Sequence, residues 1–294
     1  MSLKYEGTIR VGGKLLDLSR PVVMGILNVT PDSFYASSRE QTSSEIARRA
    51  EAIVGEGGSV IDVGGCSTRP GYVAPSADEE MSRLRTGLAA VRRACGDVAV
   101  SVDTFRPDVA RMCVEEFGAC IINDVTEGGR SLPPEDGAGE VPAMFRMAAR
   151  LKVPYILTSV QPDMPSMLMS FAREVQQLHA LGVADVMLDP GFGFGKTLEQ
   201  NYAVLSELER LQMLRLPVLA GMSRKSMITR VLGTTADEAL NGTTALNMIA
   251  LMKGASLLRV HDVRQAVECV ELYMHLKSQT SNLKSQTSNL KSQT

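Results

Sequence analysis

The sequence predicts an α/β protein that folds as a (β/α)8 TIM barrel with an N-terminal β-hairpin cap. Eight short apolar runs recur along the 294 residues, and segments with helical spacing lie between them. Each run is almost continuously hydrophobic, which is typical of a parallel strand covered on both faces. An open doubly wound sheet usually has fewer strands, and barrels commonly reach about 250 residues as one domain, so the alternation favours the barrel.

The first predicted element is a hairpin over residues 8–18, where Gly12 and Gly13 separate two short alternating segments. We expect this hairpin to cap one end of the barrel. The predicted barrel strands then follow in chain order at residues 22–28, 59–65, 98–105, 120–125, 154–160, 185–190, 217–223 and 256–262.

Helical spacing is clearest in three of the segments between the strands. Residues 43–58 place Ile46, Ala50 and Ile53 on one face and end in two glycines, which stop a helix. Residues 107–119 begin with a proline at a first helical position and end near Gly118. Residues 243–255 behave likewise, and their apolar face either packs on the barrel, which we favour, or forms a subunit interface.

Two segments carry no barrel element. Residues 131–142 are rich in Pro, Gly and acidic residues, which predicts a surface loop after the fourth strand. The C-terminus repeats LKSQTSN with only one apolar residue in seven, so it has no coiled-coil seam. We therefore predict one domain over residues 1–276 and a disordered low-complexity tail over residues 277–294.

Composition and charge narrow the classes of function. The chain is 44% hydrophobic and 22% charged, which is typical of a soluble globular protein, and its net charge of −2 indicates no general attraction to nucleic acid or anionic membranes. The five cysteines include no C-x-x-C pair, so neither a disulfide framework nor a zinc site is indicated. Without a signal peptide or an apolar stretch of about 18–20 residues, the sequence predicts a cytoplasmic protein with a small-molecule ligand.

Polar residues cluster at the predicted strand ends, where a (β/α)8 barrel builds its active site. Each alone could cap a helix or close a turn, but together they would be costly in an apolar mouth without a polar ligand. Three of them, Asp103, Asn123 and Asp189, suit a polar heteroaromatic ring, whereas Arg259 and His261 suit an anion or a metal-bound phosphate. The full set is Asn28, Asp62, Asp103, Asn123, Asp124, Asp189, Arg224, Lys225, Arg259, His261 and Asp262.

The segment GFGFGKT at residues 191–197 does not fit a P-loop. Pro190 stands where that motif needs a glycine, and only three residues separate Gly191 from Gly195. A nucleotide triphosphatase is therefore disfavoured. The glycines either let the backbone approach a ligand or shape a long turn, and the sequence leaves both interpretations open.

Seven segments occur in an order typical of one family: GILNVTPDSF (25–34), STRPG (67–71), SVDT (101–104), IND (122–124), DPGFGFGK (189–196), SRKS (223–226) and RVHDV (259–263). Over roughly residues 7–275 the chain resembles the dihydropteroate synthases of folate biosynthesis. The resemblance implies a homodimer of (β/α)8 barrels. It also implies a transferase that joins p-aminobenzoate to 6-hydroxymethyl-7,8-dihydropterin diphosphate and releases pyrophosphate, with Mg²⁺ as cofactor.

The resemblance implies a role for each matching residue. The pterin would be held by Asp103, Asn123, Asp189 and Lys225. The diphosphate would be held by Asn28, Arg259 and His261, with Asn28 also contacting Mg²⁺. The p-aminobenzoate pocket and two mobile loops would include Phe34, Thr68, Arg69, Pro70, Phe194 and Ser226. The catalytic set would be Asp103, Lys225, Arg259 and His261, with anionic Asp103 stabilising a pterin cation formed as the C–O bond breaks.

The chain departs from the family pattern in three places. Many members carry Met-His-Met at the end of the fifth strand, where this chain has Thr158-Ser159-Val160, so the floor of the pterin pocket differs. Cys66 stands where Glu is frequent, and we interpret it as an incidental small residue. The first loop reads DSFYASSR where DSFSDGG is common.

Two rival functions share the predicted barrel. A methyltransferase that passes a methyl group from a folate to a corrinoid would need no diphosphate site, so Asn28, Arg259 and His261 argue against it. A non-catalytic pterin-binding paralogue would keep the binding residues, and only turnover would distinguish it.

Overall fold

The N-terminal hairpin closes one end of a parallel barrel, as predicted. In this computed structural model, which describes residues 5, 7–30, 39–66, 73–129 and 141–291, strands β1 (Thr8–Val11) and β2 (Lys14–Asp17) pair antiparallel. Gly12 and Gly13 turn between them with φ of 56° and 78°, values that favour glycine. Ile9 and Val11 pack into the barrel interior at its amino-terminal end. The hairpin therefore leaves the opposite end of the barrel open for a site.

Eight parallel strands form the barrel, which confirms the predicted fold. They are β3 (Val22–Asn28), β4 (Val60–Gly64), β5 (Ala99–Asp103), β6 (Ile121–Asp124), β7 (Tyr155–Thr158), β8 (Val186–Asp189), β9 (Leu219–Ala220) and β10 (Leu257–Val260). Strand β10 pairs with both β3 and β9, and a parallel bridge between Leu188 and Val218 joins β8 to the β9 segment. The sheet thereby closes on itself.

Helices cover the outside of the barrel between successive strands. The described helices are α1 (Arg39–Gly55), α2 (Ala77–Cys95), α3 (Pro107–Phe117), α4 (Ala143–Leu151), α5 (Met164–Ala180), α6 (Leu198–Ser206), α7 (Ser226–Leu232), α8 (Leu240–Met252) and α9 (Val263–Lys291), with a 3-10 helix at Leu208–Leu214. Local signals set several ends: Gly118 terminates α3 in the left-handed region, and Thr197 with Gln200 forms a capping box on α6.

Two apolar layers hold these elements together. One lies between the strands and the helices, and the other fills the barrel interior near the hairpin. Gly25 shows how closely helix and strand approach in the outer layer, because a Cβ at this position would lie 2.5 Å from Ile53 Cγ2 of α1. No helix within the described residues is long and apolar enough to cross a membrane.

The C-terminal segment differs from the prediction. Helix α9 continues to Lys291, so the structure is helical over most of the range predicted to be a disordered tail. Residues 263–291 contain no glycine or proline, so a helix already nucleated against the barrel meets no strong helix breaker as it extends. The domain division at residue 276 stays a prediction. Most of the loop predicted at 131–142 lies outside the described residues.

Candidate active site

The polar strand-end residues share one face of the barrel wall. Met24, Val60, Ile121 and the equivalent residues of the other strands pack in the barrel interior. Because side chains alternate along a strand, residues two or four positions further on also face inward. Seven such side chains therefore face inward at the carboxyl-terminal end of the barrel, which we call the mouth: Asn28, Asp62, Asp103, Asn123, Thr158, Asp189 and Arg259.

Arg259 lies at the centre of the mouth and joins three strands. Its Nε donates to Asp62 Oδ2 at 2.6 Å and its Nη2 donates to Asp103 Oδ2 at 2.7 Å. Asn123 Nδ2 donates to the same Asp62 oxygen at 3.1 Å. Asp62 Oδ1 and Asn123 Oδ1 are buried and have no hydrogen-bond partner among the described residues. Buried acceptors without a partner are costly, so this layer is built to receive a ligand with hydrogen-bond donors.

Burial dominates the electrostatics of the mouth. It raises the pKa of Asp103 to about 7, while Arg259 acts in the opposite direction. Burial also raises the pKa of Asp189, against the effect of the Lys225 ammonium. For Arg259 burial disfavours the charge, but Asp62 and Asp103 outweigh it and raise the pKa above its ordinary value. The mouth therefore holds a permanent cation beside a carboxyl group that titrates near neutrality.

The loop after β8 is tied to the end of β7 by a lysine that sequence reasoning missed. Lys196 Nζ donates to the carbonyl oxygens of Ser159 at 2.9 Å, Gly191 at 3.1 Å and Phe194 at 3.4 Å. Burial lowers the pKa of Lys196 to about 8. The position lies within the DPGFGFGK segment, but the pattern did not indicate that the side chain folds back onto its own loop.

The glycines of this loop serve mainly to shape it. Gly191 has φ of 68°, and a Cβ there would lie 2.1 Å from the Ser159 carbonyl oxygen. Its amide donates to Asp189 Oδ1 at 2.7 Å. The loop backbone therefore approaches β7 closely and fixes the Asp189 carboxylate. At Gly191 the glycine shapes the turn, which is one of the two interpretations that the sequence left open.

Lys225 reaches back across the same loop. Its Nζ donates to the Phe192 carbonyl oxygen and lies 4.5 Å from the centre of the Phe194 ring. Burial lowers the pKa of Lys225 to about 8, while Asp189 favours the charged form. Ser226, the next residue, is exposed at the first position of α7. The predicted Lys225, Phe194 and Asp189 are thus brought together.

His261 and Asn28 flank the cluster on the side of β10 and β3. Ser223 Oγ lies 3.0 Å from His261 Nδ1 and accepts the His261 backbone N–H at 3.2 Å. Burial, with Arg259 and Arg224, lowers the pKa of His261 to about 4, so the imidazole is neutral at pH 7. Asn28 and Asp103 lie on either side of Gly64, where a Cβ would be 3.3 Å from Asn28 Oδ1 and 3.8 Å from Asp103 Oδ2.

Two other strand-end groups are structural. Arg224 has φ of 57° and forms a two-point ion pair with Asp262, with N–O distances of 3.0 and 2.6 Å. Asp124 accepts hydrogen bonds from the amides of Thr126 and Gly128 at 2.8 and 2.9 Å, and one from the Tyr155 hydroxyl at 2.5 Å. The turn-closing interpretation therefore holds for Asp124, whereas Arg224 and Asp262 link the loops that follow β9 and β10.

The altered end of β7 is buried at Thr158 and Ser159 and half-buried at Val160. The Val160 amide donates to Glu127 Oε2 at 2.9 Å, and Glu127 itself adopts φ of 56°. Thr158 and Ser159 have no exposed surface. Cys66 is also buried, and burial raises the pKa of its thiol to about 11, so it is a neutral thiol at pH 7. Four predicted residues lie outside the described residues: Phe34, Thr68, Arg69 and Pro70.

Known proteins share this chain's sequence and fold. The family described as "Pterin binding enzyme" matches residues 24–261. Dihydropteroate synthase of Escherichia coli K12 is 39% identical over 275 residues, which cover 88% of this chain and 93% of the relative. Dihydropteroate synthase of Xanthomonas albilineans, solved with 4-aminobenzoic acid, has a TM-score of 0.82 at 33% identity, covering 92% of this chain and 98% of that one. The Clostridium difficile enzyme, solved in the presence of pteroic acid, has a TM-score of 0.79 at 31% identity, covering 87% and 97%.

Proposed function

The chain belongs to the family of pterin-binding enzymes, and its activity is that of a dihydropteroate synthase. From this premise we propose which residues of the barrel mouth bind each part of the substrates and which of them stabilise the charges that form during the reaction. The enzyme is a transferase of folate biosynthesis. It condenses 6-hydroxymethyl-7,8-dihydropterin diphosphate with p-aminobenzoate and releases pyrophosphate.

The pterin ring binds between Asp103, Asn123, Asp189 and Lys225. The observation that carries this assignment is the pair of buried, unpartnered oxygens, Asp62 Oδ1 and Asn123 Oδ1, in the layer beside Arg259. A pterin ring offers amino and ring N–H donors to such oxygens and a carbonyl oxygen to Lys225. The ring thereby provides hydrogen-bond donors to two oxygens that have no partner among the described residues.

The diphosphate binds to Arg259 and His261 beside Asn28. Arg259 is held by the carboxylates of Asp62 and Asp103, so a diphosphate must compete with them for the guanidinium. His261 contributes a neutral N–H. Ser223 Oγ accepts the His261 backbone N–H and can donate its own proton to Nδ1, which places the ring proton on Nε2.

Asn28 fits a Mg²⁺ cofactor that would be bound jointly by the protein and by the diphosphate of the substrate. No group of three acidic, histidine or cysteine side chains within the described residues could form a complete metal cage. Mg²⁺ in phosphate sites is usually bound by one or two protein oxygens together with the phosphates, and the Asn28 amide oxygen meets that need. When bound, the ion would neutralise charge on the departing diphosphate.

The reaction at the pterin ring needs no protein nucleophile. It depends on charged side chains that stabilise the charges formed when the C–O bond breaks. The C–O bond to the diphosphate breaks and leaves a positive charge delocalised over the pterin. The Asp103 carboxylate stabilises this cation, while Arg259 and the neutral His261 N–H stabilise the departing anion. The amine of p-aminobenzoate then forms the new C–N bond and loses a proton, which pyrophosphate can accept.

The p-aminobenzoate pocket lies where the Phe194 ring meets Lys225, with Ser226 at its exposed edge. Lys225 is thus placed between the two substrates. Four further residues that the family resemblance assigns to this pocket lie outside the described residues: Phe34, Thr68, Arg69 and Pro70. Exclusion of water from the pocket would protect the pterin cation from hydrolysis.

Two further properties complete the proposal. A homodimer is supported by family likeness and by exposed apolar side chains on the neighbouring helices α8 and α9: Ile249, Met252, Leu272 and Leu276 are 39%, 64%, 65% and 51% exposed. A cytoplasmic location is supported by the five cysteines, none of which forms a disulfide with another described residue, as is typical of reducing compartments.

Pyrophosphate release by the purified protein tests the proposal. We expect release from the pterin diphosphate only when p-aminobenzoate and Mg²⁺ are both present. Binding of the pterin without release would indicate the non-catalytic paralogue. Failure to bind pyrophosphate with Mg²⁺, combined with binding of a methylated folate, would indicate the methyltransferase.

A further inference from the structure

Thr158 is the one inward-facing strand-end residue between Asn123 and Asp189 that the proposed pterin site does not use. Four consecutive strands, β5 to β8, carry Asp103, Asn123, Thr158 and Asp189 at the mouth. Asp103 is the register partner of Asn123, and Thr158 is the register partner of Asp189. The threonine therefore continues the arc of polar groups instead of interrupting it.

The Thr158 hydroxyl is buried and has no hydrogen-bond partner among the described residues. Thr158 as a whole has no exposed surface. The methyl group takes up the contact with the neighbouring loop, since a Cβ on Gly191 would lie 3.1 Å from Thr158 Cγ2. A buried hydroxyl without a partner destabilises the folded state, and a valine would fill the same volume without that cost.

We propose that Thr158 is a specificity-determining residue of this enzyme whose hydroxyl hydrogen bonds to the polar edge of the pterin ring beside Asp189. The inference rests on the proposed pterin site and deepens it. Methionine is common at this position in the family, so a buried hydroxyl here distinguishes this chain. Asp62 Oδ1 and Asn123 Oδ1, in the same layer, are likewise buried and have no hydrogen-bond partner among the described residues. We therefore assign the Thr158 hydroxyl to the same ring-binding site as these two oxygens.

The substitution Thr158→Val separates this role from a structural one, because it should change stability and affinity in opposite directions. Removing an unpartnered hydroxyl should raise the melting temperature of the ligand-free protein by about 2 °C. The same change should weaken binding of 6-hydroxymethylpterin, which has the ring but no diphosphate, by about tenfold. Thr158→Ser keeps the hydroxyl and should bind the ring within about twofold of the unchanged protein.

Ser256→Ala is the matched control. The Ser256 hydroxyl is also buried and unpartnered, but it lies just before β10 at the amino-terminal end of the barrel. This variant should gain thermal stability without any change in ring affinity. If Thr158→Val does not fold, the comparison of Thr158→Ala with Thr158→Ser isolates the hydroxyl in the same way.

Three results would overturn the inference. The first is ring affinity in Thr158→Val that equals that of the unchanged protein, and the second is a fall in its melting temperature, which would mean that the hydroxyl already has a partner. The third is absence of ring binding by the unchanged protein, which would remove the pterin site itself. Normal ring binding and turnover in that protein leave the proposed function standing whatever the Thr158 variants do.

Discussion

Replacement of Asp103 by asparagine should remove most of the catalytic power and leave the fold intact. Asp103 is buried at the mouth, and its Oδ2 accepts a hydrogen bond from Arg259 Nη2 at 2.7 Å. Asparagine keeps an acceptor oxygen for that bond, and Arg259 keeps its second partner, Asp62. The substitution therefore removes a negative charge while the surrounding contacts persist.

The size of the effect follows from the charge that Asp103 places near the reacting ring. A unit cation about 4 Å from a carboxylate gains about 4 kcal/mol at an effective dielectric constant of about 20. Arg259 contacts the same carboxylate and cancels part of this gain. We therefore expect kcat to fall by about 10²-fold, the lower part of the range observed when one preorganised electrostatic group is removed.

Pyrophosphate release under saturating substrates measures this loss, and thermal melting shows whether the variant is folded. Glu116→Gln is a suitable control, since it removes the same charge from an exposed pair with Arg85. A kcat for Asp103→Asn within about threefold of the unchanged enzyme, far below the effect expected of such a group, would refute the assignment of Asp103 as the group that stabilises the cation.

The pH dependence gives a second test of the same residue. Because the pKa of Asp103 is raised to about 7, the carboxyl group is increasingly protonated below that pH and loses the charge that the cation needs. The kcat/KM value should therefore fall as pH decreases through about 7. His261, with a pKa of about 4, stays neutral over this range and cannot produce the same limb. Persistence of the limb in Asp103→Asn would assign it to another group.

Three more predictions follow from the contacts around the mouth. Lys196→Met removes the ammonium that ties three carbonyl oxygens, so KM for the pterin diphosphate should rise about tenfold and the melting temperature should fall; an unchanged KM in steady-state assays would contradict this role. Ser223→Ala frees the His261 ring, so KM for the diphosphate substrate should rise several-fold with unchanged affinity for 6-hydroxymethylpterin; equal losses in both would exclude a diphosphate-specific effect. Gly191→Ala should lower both thermal stability and ring affinity, because its Cβ would collide with the Ser159 carbonyl oxygen. Calorimetry measures both quantities, and an unchanged melting temperature would contradict the collision.

Much of the fold could be predicted because strand and helix patterns are local. The eight apolar runs coincide with strands β3 to β10, and the paired glycines at positions 12 and 13 form the predicted hairpin. The C-terminal helix was missed for a physical reason. A repeat that lacks an apolar seam can still extend a helix nucleated elsewhere, and composition alone does not reveal that support.

The candidate site was predicted in outline, since its members stand at strand ends. Lys196 was missed because its partners are main-chain carbonyl oxygens, which leave no pattern in the sequence. Arg224 and Asp124 met the same strand-end criterion as the site residues. Only their partners, Asp262 for one and Thr126, Gly128 and Tyr155 for the other, assign them to structure.

The sequence by itself determined the barrel class, the order of its strands and the residue types at the mouth, because these depend on periodicity and on motifs only a few residues long. The tertiary structure decided which atoms meet. Arg259 pairs with carboxylates 156 and 197 residues away, and Thr158 stands beside Asp189 only through the register of two strands. Such pairings depend on how the sheet closes, and no local pattern contains that information.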